Sequence, residues 1–190
     1  MLVLVLGLIV FLGVHSVAIV APGLRERVIA TRGRGLWAGL YSLLSAVGLV
    51  LIIWGYGLAR ADPVVLWVPP GWLRHLAVGL LVFVFPLLLA AYLPGRIKAA
   101  VKHPMLAAVK LWAFAHLLAN GTLADLLLFG AVLTWAVVER ISLKRRPAKP
   151  VPGAPPAPWN DAIAIAGGLA VYVVTLLWLH RWLIGVSPLA

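Results

Sequence analysis

Apolar residues in this chain run in long blocks, and each block ends at a cluster of prolines, glycines or arginines. Six such blocks occupy residues 2–21, 36–58, 73–93, 105–119, 123–138 and 162–183. At 1.5 Å of rise per residue these lengths approach the ~30 Å hydrocarbon core of a bilayer, so the pattern predicts an all-α, polytopic bundle of about six transmembrane helices. The fourth and fifth blocks are short. Between them, Asn120-Gly121-Thr122 reads as a stop followed at once by a start. Asn and Gly tolerate the left-handed position that ends a helix, and Thr122 with Asp125 has the spacing of a capping box, so a tight helical hairpin is expected.

Breakers set the remaining edges. Ala21-Pro22-Gly23 closes the first helix and Pro94-Gly95 the third, while Pro104 falls in the first turn of the fourth, where a missing N–H costs little. Pro86 is expected to kink the third helix. The stretch "RRPAKPVPGAPPAP" holds six prolines and no apolar periodicity, which predicts an extended cytoplasmic linker over residues 147–160. It divides a five-helix core, residues 1–146, from a tethered C-terminal helix in 161–190, the helix expected to be least integral to the core. The outer loop "ADPVVLWVPPGW" is unusually apolar, with Trp67 and Trp72 suited to the headgroup level, and is placed to cap an outward-facing pocket.

Composition narrows the class. With 64% hydrophobic and 11% charged residues in 190, no soluble domain of this size has enough interior for the apolar side chains. Lys and Arg number 16 against 5 Asp and Glu, but this charge is broken into short blocks between apolar runs, which excludes a nucleic-acid partner and leaves membrane lipids. It sets topology instead. Loops after the first, third and fifth blocks hold twelve basic residues, the opposite side only Arg60, Arg74 and Arg181, and Lys110 lies inside a helix. The count puts the odd loops in the cytoplasm and both termini outside. No basic residue precedes the first block and Arg25, Arg27, Arg32 and Arg34 follow it, the reverse of a signal peptide, so that helix is expected to be retained. The absence of cysteine excludes disulfides, thiolate chemistry and Cys-ligated metals.

Depth then sorts the polar residues. His75 and His180 fall near the outer interface, His103 and Lys102 at the cytoplasmic start of the fourth helix, and Lys110 can snorkel back to the cytoplasmic headgroups. His15 lies roughly 10 Å above the cytoplasmic edge and His116 roughly 18 Å above it at 1.5 Å per residue, so both are at mid-depth. A single intramembrane histidine ordinarily hydrogen-bonds a Ser, Thr or carbonyl. Two at compatible depth also fit a planar cofactor with axial imidazoles. No third ligand or helical Glu-x-x-His pair supports a catalytic zinc or di-iron site. Glu26, Asp62, Asp125, Glu139 and Asp161 all sit near helix ends or in loops, against a mid-membrane proton relay, and no phosphate-binding Gly-rich loop or Ser-His-Asp set is present. Trp112, Ala113 and Asn120 share the His116 face: Trp112 offers a flat wall and small Ala113 leaves room for a bulky ligand. The His15 face carries Leu8, Phe11, Leu12 and Ile19. Stripes of this kind also serve plain helix packing.

On "VHSVAIVAPGLRER" and "KHPMLAAVKLWAFAHLLANG" with the helix that follows, the chain resembles the NnrU family of bacterial multi-pass membrane proteins over roughly residues 1–146. That family is similar to the 15-cis-zeta-carotene isomerases, membrane enzymes that use haem b. The resemblance implies a bacterial inner-membrane protein with haem b whose axial ligands, in the "HS" and "AH" motifs, fall on His15 and His116; Trp112 and Ala113, on the His116 face, would then lie beside the cofactor. It also departs from the isomerases: they carry Arg before His-Pro where this chain has Lys102, and a Cys at the position of Ala113, which puts ligand exchange through Cys in doubt. Two functions follow from it, a denitrification role in which haem meets nitric oxide, and cis-trans isomerisation of a lipophilic polyene as in carotenoid biosynthesis. A non-catalytic, haem-holding accessory protein is a third. The chain is also similar to isoprenylcysteine and phospholipid methyltransferases, in which His103-Pro104 and Glu139-Arg140 would serve S-adenosylmethionine; Lys102 in place of Arg and the lack of a further acidic partner depart from that pattern.

Overall fold

A computed structural model describes residues 1–146 and 151–189. All six blocks form helix. They are α1 (Leu2–Val20), α3 (Arg34–Ala61), the pair α4 (Gly71–Leu81) and α5 (Val84–Ala90), α7 (Pro104–Ala119), α8 (Leu123–Ser142) and α9 (Asn160–Val174). A π-helical turn, Thr175–Leu179, carries α9 into α10 (His180–Ile184). Two short helices were absent from the apolar pattern: α2 (Leu24–Arg32) and α6 (Arg96–Val101), both rich in basic residues. Four helical stretches among the described residues are long and apolar enough to cross a membrane: Leu2–Val20, Arg34–Ala61, Gly71–Ala90 and Asn160–Ile184. α7 is a shorter apolar helix, and α8 carries Asp125, Glu139 and Arg140 in its twenty residues. This is an all-α membrane protein.

The expected kink at Pro86 is a two-residue interruption of the helix at Val82 and Phe83, both still in the right-handed helical region. Pro86 has no N–H for the carbonyl four residues back, and its ring crowds that position, so α4 stops before Val82 and α5 starts at Val84. The Tyr172 hydroxyl donates to the Val78 carbonyl at 2.9 Å, in the last turn before the interruption.

The residues divide into two compact units, Met1–Trp67 with Gly121–Ser142, and Val68–Asn120 with Leu143–Ala190. In the first, α1 and α3 pack antiparallel at backbone contact. Leu4 meets Gly55, Gly7 meets Leu51 and Ile52, and Phe11 meets Gly48, so each step along α1 is a step back along α3. Side chains at those glycines would hold the helices apart; in a bilayer, where lipid is as apolar as leucine, such close backbone packing is what holds helices together. α8 joins the pair and starts with the capping box its sequence predicts. The Asp125 N–H donates to Thr122 Oγ1 at 3.2 Å, and the Thr122 N–H to Asp125 Oδ2 at 3.0 Å.

The turn before α8 differs from expectation. Asn120 is extended (φ −128°, ψ 150°) rather than left-handed, and the carbonyl of Gly121 accepts N–H bonds from Leu66 and Trp67 at 2.8 and 3.1 Å. Leu123 donates to Val64 at 2.8 Å, and Val65 bridges Thr122, so the apolar outer loop is pinned to the start of α8. Helices α7 and α8 belong to different units.

In the second unit, α7 packs on α4 and α5, and α9 packs on α5. Gly168 meets the backbone of Pro86, which makes α9 integral to its unit rather than a loosely tethered addition. Residues 147–150 of the predicted linker lie outside the described residues, and 151–157 carry no regular secondary structure. Ala154 N–H donates to the Tyr92 carbonyl at 2.9 Å, and the buried Asn160 side chain donates to Pro94 and Pro155 carbonyls at 2.8 and 3.1 Å. Asp161 accepts from the N–H groups of Arg96 and Ile97 at 2.8 and 3.1 Å, capping α6 from 64 or more residues away, and only glycine at position 95 leaves room for that carboxylate. Asp161→Ala is therefore expected to speed proteolysis between residues 143 and 160 severalfold, checked by mass mapping of limited digests; an unchanged digestion rate would contradict the clasp.

Candidate functional site

His15 lies on α1 one turn beyond Phe11. Its Nδ1 is 2.7 Å from the Phe11 carbonyl oxygen. A carbonyl only accepts, so Nδ1 carries the proton and the ring lone pair sits at Nε2. Three rings surround this half-buried imidazole: Phe11 at 4.2 Å between centroids, Tyr41 of α3 at 5.3 Å, and Trp135 of α8 at 5.9 Å with its plane perpendicular. The close α1–α3 contact brings Tyr41 alongside, two turns before Gly48. Trp135 Nε1 is buried with no hydrogen-bond partner among the described residues. One turn along α8, the half-buried Glu139 is within electrostatic range of the Tyr41 hydroxyl.

His116 repeats the local arrangement in the second unit. Its Nδ1 is 2.8 Å from the Trp112 carbonyl, and its ring lies 4.9 Å from the Trp112 ring at 48°. Asn120, one turn on, closes the helix by donating its side-chain and backbone N–H groups to the His116 carbonyl at 2.8 and 3.0 Å. The Trp112 ring thus lies beside the imidazole that its own carbonyl holds. Ala113 is fully buried, so its methyl lies against protein rather than open space.

The other sequence candidates stand apart. His75 and His180 each donate Nδ1–H to a carbonyl, of Gly71 and Val186, at 3.2 and 2.7 Å in exposed settings. Lys102 is exposed and takes φ 64°, and the His103 N–H returns to the Val101 carbonyl at 2.8 Å, a strained three-residue turn ahead of Pro104. Lys110 is half-buried in α7.

His15 belongs to the first unit, and Trp112, Ala113 and His116 to the second. No group of three or more His, Cys, Asp or Glu gathers among the described residues. The donor set is two imidazoles, each held at Nδ1 by a backbone carbonyl, an arrangement that suits an axial haem ligand. Sequence reasoning missed Tyr41 and Trp135 beside His15, because periodicity along one helix does not say which helix it packs against. Comparison with known proteins finds no matching curated protein and no matching solved structure. The chain does match the family described as NnrU protein over residues 3–188, from α1 through α10. It belongs to the NnrU family.

Proposed function

We propose that this NnrU-family membrane protein binds haem b in a bacterial inner membrane, with His15 Nε2 as one axial ligand, and that it serves nitric oxide-associated respiration. His116 is the second ligand on the depth and motif argument. The observation that carries the reading is the tether: both half-buried imidazoles donate Nδ1–H to the carbonyl four residues earlier, at 2.7 and 2.8 Å. Such a bond fixes the tautomer and ring orientation and makes Nε2 the better ligand. Aromatic neighbours distinguish this pair from the exposed His75 and His180. Haem supplies a redox-active iron with affinity for nitric oxide. The protein's part at His15 is to hold the ring between Phe11, Tyr41 and Trp135 and keep water from it. Ala113, buried where the isomerases carry Cys, offers no alternate ligand and favours this role over polyene isomerisation.

Detergent-purified protein is expected to show a Soret band that His15→Ala or His116→Ala abolishes and that nitric oxide shifts in the reduced state. A colourless protein after expression with ample haem would overturn the reading. Binding of S-adenosylmethionine that is lost in His103→Ala, in haem-free protein, would move it to the methyltransferase class.

A further inference from the structure

The three rings around the His15 imidazole meet it at different angles. Phe11 is tilted by 31°, Tyr41 by 58° and Trp135 by 89°. An imidazole bound end-on to haem iron through Nε2 stands upright on the macrocycle, so the macrocycle lies at a right angle to the imidazole plane. A neighbouring ring can therefore lie flat against the haem only if it, too, stands at a right angle to the imidazole. Phe11 and Tyr41 fail that condition by wide margins. Trp135 meets it, with its centroid 5.9 Å from that of His15 and all three helices involved, α1, α3 and α8, inside the first unit.

Trp135 is also a costly choice for packing alone. Its Nε1–H is buried with no hydrogen-bond partner among the described residues, and an unpaired buried donor lowers the stability of the fold. Phenylalanine would fill the place beside His15 with no donor to bury. What indole adds over phenyl is flat area, and the ring is only half-buried, so part of it is left uncovered by protein. A residue that breaks a local rule with no gain to the fold is the kind found at functional sites.

We propose that Trp135 is a haem-contact residue, its indole lying flat against the macrocycle, and that it holds the cofactor at a cost to the fold's own stability. The proposal rests on the haem reading above. It adds the residue that selects a flat, extended ring system over a bare metal ion as the partner of His15, and it leaves Phe11 and Tyr41 the task of packing the imidazole.

Trp135→Phe, Trp135→Leu and Tyr41→Leu test it through two measurements. In haem-loaded protein, the rate at which haem passes to an excess of scavenging apoprotein is expected to rise about threefold for Trp135→Phe and about tenfold for Trp135→Leu, the size of one aromatic contact, and about twofold at most for Tyr41→Leu. In haem-free protein the order is expected to invert, with Trp135→Phe unfolding at the wild-type temperature or above it, because the unpaired donor is gone. A residue that only packed would lose on both counts. Unchanged release from Trp135→Leu, or equal acceleration by Tyr41→Leu, would overturn the inference while haem binding stands. So would a lowered unfolding temperature of haem-free Trp135→Phe. A colourless wild type would remove the haem reading itself, and the inference with it. If Trp135→Leu misfolds, Trp135→Phe decides both comparisons.

Discussion

Gly55→Val is expected to destroy the first unit in detergent under conditions where Gly57→Val leaves it folded. At Gly55 a new Cβ would lie 2.6 Å from Leu4 Cα and 2.7 Å from the Val3 carbonyl carbon, with the Leu4 nitrogen nearer still. These are backbone atoms inside a helix and cannot swing aside. The contact also recurs down the seam, where Cβ atoms at Gly7 and Gly48 would come within 2.6 Å of Ile52 N and 2.7 Å of Phe11 N, so α1 cannot slide to relieve one site without colliding at another. Overpacking a core typically costs ~1–3 kcal/mol when side chains can adjust. Here the helices must separate, and the loss should exceed that range. At Gly57, two residues on and on the opposite face, a side chain meets nothing within 4 Å. Thermal unfolding followed by circular dichroism would show a large drop for Gly55→Val and almost none for Gly57→Val. Comparable behaviour of the two variants would refute the close α1–α3 seam.

Asp125→Ala should cost about 3 kcal/mol, combining a lost helix cap with polar groups left buried and unpaired. The Asp125 carboxylate is 4% exposed and fully engaged. It accepts from the Tyr56 hydroxyl at 2.5 Å, and from the Thr122 hydroxyl and N–H at 2.6 and 3.0 Å. Arg60 lies over the Tyr56 ring at 5.9 Å from its centroid. One carboxylate thus ties the start of α8 to the end of α3. Tyr56→Phe removes a single donor and should cost about 1 kcal/mol. The double variant should cost less than the sum, because both changes break the same bond. Full additivity in the unfolding free energies would show that the two residues do not act on each other.

What was legible in the sequence follows from range. The capping box at Thr122 and Asp125 was readable because both partners lie within four residues. The interruption near Pro86 was readable because proline disrupts its own helix, four residues back at Val82. The six apolar blocks were readable by length alone. The short helices α2 and α6 were not, since their basic residues mask any apolar block. Pairings across the chain were hidden for a different reason. Nothing in "NDAIAIAGG" says that its Asp161 caps a helix near residue 96, and nothing around Gly48 or Gly55 says that α1 is the partner. At the candidate site, His15 and His116 stood out by depth, while the rings that hold His15 come from α3 and α8 and could not be assigned before those helices were paired.

The division of the chain into two units has a consequence for biogenesis. The first unit begins with residues 1–67 but is completed only by residues 121–142, and the second opens at Val68 and needs α9 to cover α5. As the chain leaves the ribosome, α1 and α3 can zip together early, yet they must wait for the whole of α4 to α7 to be inserted before α8 arrives. The second unit then waits for α9. Neither half can mature as a contiguous N-terminal piece, so a nascent chain stalled near residue 120 would present two incomplete bundles at once to the membrane's quality-control proteases.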